Sequence, residues 1–205
     1  YSGSAVNNNT VGHGLSQAPD LWITKCRTAA STDWDSFFTV VDGSVDFMRL
    51  NTDAVDGDSG RTAPTANVFY VGTGTNQGAD GEDYVAYCWH SVEGYSKAGK
   101  YVANYNNDGT FIYTGFKPAW IMIKNVDAVA NWVIQDNKIS PTNPRNYVLL
   151  ADTDAAEADW TAYPIDILSN GFKMRNTGQG TNGPMSSNFL YLAFAESPFK
   201  TSNAR

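Results

Sequence analysis

The sequence is poor in several residue types on which common functions depend. It has 2 cysteines and 2 histidines in 205 residues, too few cysteines for a disulfide scaffold and no Cys/His spacing typical of zinc sites. Its 14 lysines and arginines form no cluster, and the net charge is −7. A nucleic-acid partner is therefore not expected, because binding phosphates requires cations.

Long apolar runs and helical periodicity are missing as well. No run approaches the roughly 20 residues that cross a bilayer, and residue 1 begins no signal peptide, so we expect no membrane insertion. A processed precursor or an excised fragment remains possible. Apolar residues do not recur with a 3.6-residue period over any window of helical length, so we expect single helical turns at most, at 128–130 and 155–158.

Motifs for catalysis are also missing. The two histidines, His13 and His90, are accompanied by no Gly-x-Ser-x-Gly elbow, and His13 lies in a Gly-His-Gly turn that suggests an architectural role. Glycoside hydrolysis needs two carboxylates across a cleft, and the 4 glutamates are not paired along a strand. We therefore predict a protein that is not an enzyme and holds no cofactor.

Metal and redox sites are not predicted either. The acidic segments 56–58 and 80–83 offer oxygen atoms that suit Ca²⁺, but neither has a full loop signature, so we expect solvated turns and no metal. Cys26 and Cys88 lie in predicted strands and are expected to be free, buried thiols. A bridge between them remains an alternative that depends on geometry.

What the sequence does contain is an internal repeat. Pro19 and Lys25 enclose an apolar run and recur as Pro118 and Lys124, at a common offset of 99. The other matches, in chain order, join Tyr1 to Tyr101, Trp34 to Trp132, residues 50–53 to 150–154, and residues 84–89 to 189–194. We predict two tandem repeats, residues 1–100 and 101–205.

Short apolar segments between Gly, Asn, Pro and Asp turns predict strands throughout both repeats. The predicted strands are residues 21–26, 34–41, 45–50, 68–71, 84–90, 101–105, 111–113, 120–124, 132–135, 147–150, 165–168, 172–174 and 189–194. Asp42-Gly43 and Asn170-Gly171 are hairpin signals, whereas residues 51–65 are expected to be a loop.

This pattern predicts an all-β fold, an antiparallel β-sandwich of the jelly-roll or concanavalin-like sort. Each repeat is small for a sandwich of its own, which favours the two repeats packed as one sandwich unit. Two separate small sandwiches are the alternative.

Aromatic residues are abundant, with 6 Trp, 11 Tyr and 10 Phe. Rings within the organising strands or at matching places of both repeats are expected to pack in the core: Trp22, Trp34, Trp89, Trp120, Trp132 and Phe194. Trp160 and Tyr163 fall in the unmatched segment 157–164, and Tyr105 lies near a turn. Because flat rings stack on sugars, these three are the candidate ligand-binding residues.

The sequence resembles a family of bacteriophage proteins in several places. The motifs are His-Gly-Leu-Ser-Gln-Ala-Pro at 13–19, Val-Glu-Gly-Tyr-Ser-Lys at 92–97, the whole segment 113–124, and Ser-Pro-Phe-Lys at 197–200. They are similar to a duplicated domain of tail-fibre and other virion proteins of marine and cyanobacterial phages. The resemblance covers nearly the whole chain, and its motifs are structural rather than catalytic.

The resemblance implies a virion protein, assembled in the host cytoplasm, that adheres to the host surface without catalysis. Its expected partners are other virion proteins and a host-surface glycan or receptor, and the expected assembly is a homotrimer that gains avidity from several copies. A capsid-surface decoration protein is the alternative. A polysaccharide depolymerase is the least favoured, because the carboxylate pair is missing.

Overall fold

The computed structural model describes residues 1–55 and 57–198, and within them it contains 16 strands and no helix. All strand pairs are antiparallel. The predicted all-β, antiparallel fold is thus confirmed, and the arrangement is consistent with a β-sandwich. Asp56 and residues 199–205 lie outside the described part, as do Phe199 and Lys200 of the 197–200 motif.

The chain forms two compact units, residues 1–90 and 91–205. The repeat boundary predicted from the sequence, 100/101, falls inside strand β8, Ser96–Val102. This strand pairs along its whole length with β16, Asn188–Ala195, from Ser96 opposite Phe194 to Val102 opposite Asn188. The ladder therefore places β8 in the second unit.

The first unit contains two sheets. Its strands are β1 (Asn9–Gly12), β2 (Leu21–Cys26), β3 (Trp34–Phe38), β4 (Asp46–Arg49), β5 (Gly57–Asp58), β6 (Val68–Val71) and β7 (Tyr84–Trp89). The larger sheet has the order β5-β4-β3-β2-β7, and the smaller one pairs β1 with β6. The two-residue strand β5 lies in the segment 51–65 that the sequence predicted as loop.

The core of the first unit brings both sheets together. Trp22 and Phe37, from β2 and β3, cluster with Phe69 and Val71, from β6, and the Trp22 and Phe37 rings stack with centroids 5.4 Å apart. Leu21 and Ile23, on the other face of β2, are also buried. Strand β2 is thus buried on both faces, as its continuous apolar run predicts.

The second unit contains a larger and a smaller sheet as well. Its remaining strands are β9 (Phe111–Tyr113), β10 (Pro118–Asn125), β11 (Val133–Asp136), β12 (Tyr147–Leu150), β13 (Ala158–Asp159), β14 (Ile165–Leu168) and β15 (Gly171–Met174). The larger sheet has the order β13-β12-β11-β10-β16-β8, and the smaller one the order β14-β15-β9.

The core of the second unit again joins the inner faces of its two sheets. Ile121 and Tyr191, from β10 and β16, belong to one buried cluster with Ile112, Ile167 and Phe172, from β9, β14 and β15. The alternating pattern of β9, exposed–buried–exposed, is that of a strand with one face on a core and one in solvent.

Both predicted hairpins form, with different roles for their glycines. Gly43 has φ 97° in the turn between β3 and β4. Glycine is favoured at this positive φ because it has no Cβ atom. Gly171 lies instead in β15, paired with Leu168. A Cβ atom there would come within 2.1 Å of the Ile112 carbonyl oxygen, so glycine is needed for the close approach of β9.

Candidate ligand site

Tyr105, the first of the candidate residues, follows β8 and is 54% exposed. Its φ is 50°, in the left-handed region that residues with a Cβ atom rarely adopt. Its ring lies beside Gly183, where a Cβ atom would stand 3.2 Å from the ring. The backbone thus holds an aromatic side chain outward, with a glycine against its ring.

The Tyr105 ring borders a solvent-facing depression of about 350 Å³. This volume is at the lower end of the roughly 300–1,000 Å³ range of small-molecule sites. The other lining residues are Thr177, Gln179, Gly183 and Pro184. The lining thus offers a ring, a hydroxyl and a carboxamide, and none of these five residues is a carboxylate or a cation.

Buried amide groups hold the loop that forms this depression, the connection from β15 to β16. Asn125 is completely buried, and its side-chain nitrogen donates to the carbonyl oxygens of Gln179 and Gly183, each at 2.9 Å. The Gln179 side chain donates to the Val129 carbonyl oxygen at 2.9 Å. The loop is therefore fixed on both sides of the depression.

A second set of hydrogen bonds, made by Asn182 and Tyr101, holds the same loop. Asn182 is completely buried, and its nitrogen donates to Asn104 Oδ1 at 3.0 Å and to the Asn176 carbonyl oxygen at 2.7 Å. The Tyr101 hydroxyl donates to the Thr181 carbonyl oxygen, and burial raises the pKa of Tyr101. Satisfied polar networks of this kind rigidify the groups that they connect.

The other two candidate residues, Trp160 and Tyr163, form a stacked pair with ring centroids 5.7 Å apart and 15° between planes. Both are half-buried and pack against a cluster of Val133, Val148 and Leu150. Burial raises the pKa of Tyr163. Much of the surface of these rings is therefore used in packing.

Two of the three candidate residues, Tyr105 and Tyr163, lie against the loop at 176–184. A Cβ atom on Gly178 would lie 2.6 Å from the Tyr163 ring, and one on Gly183 would lie 3.2 Å from the Tyr105 ring. Of the three, only Tyr105 lines the depression. Thr177, Gln179 and Pro184 were missed by sequence reasoning; the one available signal is the Gly-, Asn- and Thr-rich composition of residues 176–184.

The rings expected in the core divide into two groups. Trp22 and Trp132 are almost fully buried, at 1% exposure each, as predicted. The other four are only partly buried: Trp34, Trp89, Trp120 and Phe194. The Trp120 and Phe194 rings contact each other, with centroids 5.7 Å apart. Each ring therefore covers part of the other while remaining partly exposed to solvent.

The two histidines make hydrogen bonds that suit turns. The His13 Nδ1 atom accepts from the Leu15 amide at 3.1 Å, and its Nε2 atom lies 3.0 Å from the Thr65 carbonyl oxygen. The Gln17 side-chain nitrogen lies 2.9 Å from His90 Nδ1, and Ser16 Oγ lies 3.3 Å from Nε2. Both ring nitrogens of each histidine thus lie within hydrogen-bonding distance of neighbouring polar groups.

The two acidic segments have different conformations in the described part of the chain: Gly57–Asp58 form strand β5, and a turn is found only in the second segment, at residues 80–81. Asp58 accepts from the Gly60 amide at 2.8 Å, and Asp83 accepts from the Ser2 hydroxyl at 2.7 Å. Asp56 falls outside the described residues. Within residues 1–55 and 57–198, no three His, Cys, Asp or Glu side chains come together as metal ligands would.

Both cysteines are free. Cys26 is buried as predicted, whereas Cys88 is only half-buried. Its partial burial raises the pKa of the Cys88 thiol to about 12. No helix in the described part of the chain has both the length and the apolar character required to cross a membrane.

The structure is thus that of an all-β protein with a shallow surface depression, free of charged lining residues, on its second unit. Residues 1–198 match the family described as "Domain of unknown function (DUF7483)", and the chain belongs to that family. No curated protein and no solved structure matches it.

Proposed function

We propose that this protein is a non-catalytic adhesion module of a bacteriophage virion, part of a tail fibre that recognises the host surface. The observation that carries the binding role is the exposed Tyr105 ring, beside a depression of about 350 Å³. Its lining presents a hydroxyl and a carboxamide but no carboxylate, which favours binding over hydrolysis. The virion context rests on the sequence resemblance, because the family description states no function.

A glycan array tests this function. The labelled wild-type protein should bind surface polysaccharides of marine or cyanobacterial hosts, and Tyr105→Ala should lose that binding. Trp160→Ala and Tyr163→Ala report whether the stacked pair contributes. Absence of binding by the folded protein would contradict the adhesive role, and release of reducing sugar would replace it with a depolymerase.

We also propose that the two units are tandem structural repeats. In each larger sheet, four strands lie side by side from β2 to β5 or from β10 to β13. The last strand of each unit, β7 or β16, pairs with the first of the four. The loops before β7 and β16 repeat a turn in detail. The Gln77 and Gly78 amides donate to the Gly74 carbonyl oxygen, as those of Thr181 and Asn182 do to that of Gly178.

Individual contacts at predicted repeat positions support the same proposal. Tyr1 stacks on Tyr84 with centroids 5.1 Å apart, and Tyr101 stacks on Phe189 at 5.0 Å. Both hydroxyls donate to the loop before the last strand, at the Gln77 and Thr181 carbonyl oxygens. The second proposed repeat is longer than the first, and its extra residues lie after residue 154. Segment 157–164 and strand β14 both fall in this longer part.

The runner-up role, capsid-surface decoration, is favoured by exposed apolar side chains on two strands. Phe111 and Tyr113 on β9 are 43% and 63% exposed, and Tyr147 and Leu149 on β12 are 44% and 42% exposed. Large apolar side chains in solvent often mark protein–protein contacts. Capture of purified virion proteins by this protein, without glycan binding, would favour capsid-surface decoration. Light scattering separately tests the expected homotrimer.

A further inference from the structure

We infer that the Tyr105 depression binds an uncharged saccharide by stacking one sugar ring on Tyr105, and that this site is an addition to the second unit. The inference rests on the proposed adhesive function and names its ligand class. It follows from three observations: the backbone at Tyr105, the chemistry of the lining, and the charge of its surroundings.

The left-handed backbone at Tyr105 belongs to the scaffold. The matching position of the first unit, Ala5, has φ 51°, against 50° for Tyr105. The Ala5 amide donates to the Gly78 carbonyl oxygen at 2.8 Å, while the Asn104 amide donates to Asn182 Oδ1 at 3.2 Å. Ala5 itself and Asn104, the residue before Tyr105, are thus anchored to the loop before the last strand of their unit, and the aromatic side chain is what the second unit adds.

Ala5 shows that an alanine can occupy this backbone conformation. The fold therefore does not require the Tyr105 ring, and its exposure needs another explanation. Tyr105 presents 54% of its surface to solvent, beside the lining residues Thr177 and Gln179. An aromatic face is electron-rich and attracts polarised C–H groups. A pyranose offers a C–H face for the ring and hydroxyl groups at its rim for the Thr177 hydroxyl and the Gln179 carboxamide.

Charge selects among saccharides. The lining contains no lysine, arginine, aspartate or glutamate, and the whole chain carries a net charge of −7. A sulfated, sialylated or phosphorylated glycan would lose its hydration without gaining a cation and would meet an unfavourable field. An uncharged saccharide has neither cost.

The fixed loop lowers the cost of binding. Asn125 holds the Gln179 and Gly183 carbonyl groups, and Asn182 holds the Asn104 side chain and the Asn176 carbonyl. Little conformational entropy is then lost when a ligand binds, which matters for a shallow site with few contacts.

The test titrates ¹⁵N-labelled protein with neutral bacterial-type oligosaccharides and with sulfated and sialylated versions of the same oligosaccharides. We expect amide shifts at Thr177, Gln179 and Gly183 with the neutral series. The affinity should change by less than about twofold between roughly 50 and 500 mM salt, because no ion pair is involved.

Three variants sharpen the test. Tyr105→Ala should weaken binding by about tenfold or more, without unfolding the protein, because alanine adopts this conformation at position 5. Tyr105→Phe should keep most of the affinity, since the ring is retained. Tyr113→Ala removes a tyrosine of similar exposure from β9 and should leave binding unchanged.

The outcomes separate the ligand class from the adhesive function. Neutral-glycan binding that depends on the Tyr105 ring supports the inference. Binding of charged glycans alone, binding that Tyr105→Ala leaves unchanged, or cell adhesion without any glycan binding overturns it while the adhesive function stands. A folded protein that binds neither glycans nor cells contradicts both.

Discussion

Tyr105 has a left-handed backbone conformation, which is unfavourable for a residue with a large side chain. A positive φ strains every residue that has a Cβ atom, by about 1 kcal/mol or more, yet this position carries a large ring whose surface is 54% exposed. Residues held in such regions are often found at ligand sites. Since Ala5 has the same backbone conformation without a ring, it is the exposed Tyr105 ring that points to a ligand.

This strain gives a stability prediction. Tyr105→Gly should be more stable than Tyr105→Ala by about 1 kcal/mol, because glycine adopts a positive φ freely. Urea unfolding of both variants measures the difference. The same two substitutions at Tyr113, within strand β9, are the control, and there alanine should be the more stable. Equal stability of the position-105 variants would contradict the strain.

The reactivity of the Cys88 thiol gives a second prediction about a single residue. Its pKa is raised to about 12 by burial, and thiolate is the reactive form. At pH 8 nearly all of the Cys88 thiol is then protonated, so Ellman's reagent should modify Cys88 slowly in the folded protein and rapidly in urea. Cys26→Ser isolates the Cys88 signal. Rapid modification of the folded variant would show that the thiol is accessible and ionised.

Among the elements, strands with continuous or alternating apolar patterns are predicted well from the sequence. The predicted bounds of β2, β6 and β12, residues 21–26, 68–71 and 147–150, are those of the structure. Their apolar side chains carry both the periodicity and the core packing. Local sequence and tertiary burial therefore favour the same residues as strand.

Strand β8 shows where such prediction fails. The sequence predicts a strand at 101–105, but β8 begins at Ser96 and ends at Val102. Its first residues are polar or small, and their strand conformation comes from pairing with β16. Gly99 leaves space for the Tyr191 ring, whose hydroxyl would lie 2.8 Å from a Cβ atom there. A ladder partner about 90 residues away is not visible in a local pattern.

The candidate site is likewise only partly predictable. An aromatic residue near a turn was enough to select Tyr105. The loop at 176–184 depends on Asn125 and Asn182, whose buried amides bind backbone carbonyls far along the chain. In sequence, both are ordinary polar residues. Trp160 and Tyr163 lie in a segment without a counterpart in the first repeat. Their packing on Val133 and Val148 could not be predicted from that pattern.

A glycine substitution tests the packing of the smaller sheet. Gly171→Ala should destabilise the protein by about 1–3 kcal/mol, because the new Cβ atom would meet the Ile112 carbonyl oxygen at 2.1 Å. Gly12→Ala in β1 is the matched control, since the nearest atom there is 3.9 Å away. Thermal unfolding of both variants gives the comparison. A harmless Gly171→Ala would mean that β9 does not approach so closely.

For the whole molecule, two buried tyrosines and the half-buried Cys88 thiol predict sensitivity to alkali. Burial raises the pKa of Tyr191 and of Cys88 to about 12 each, and raises that of Tyr101 well above its usual value. Between about pH 9 and 12 the unfolded chain releases these protons while the folded chain keeps them, so stability falls as pH rises.

Denaturant midpoints at pH 8, 10 and 11 measure this effect. We expect little change from these groups below pH 8 and a progressive decrease above pH 9. Tyr191→Phe should reduce the slope, because phenylalanine keeps the ring and has no proton to lose. A midpoint that is constant to pH 11 would show that these side chains ionise in the folded protein.

The two units share a strand order but differ in what they present to solvent. The first has Ala5 where the second has Tyr105 at nearly the same φ. The proposed repeat would keep a stable scaffold in both units while the surface loop of the second unit provides the proposed ligand site. Avidity in the proposed homotrimer would then come from one Tyr105 site in each chain.

Flow cytometry of candidate host bacteria with labelled wild-type protein and Tyr105→Ala tests the central claim most directly. Our account predicts saturable cell binding by the wild type and a loss of about tenfold or more in the variant, with Tyr113→Ala binding normally. Equal cell binding by wild type and Tyr105→Ala would contradict a site at Tyr105. No binding by a folded wild-type protein to any host cell would contradict adhesion itself.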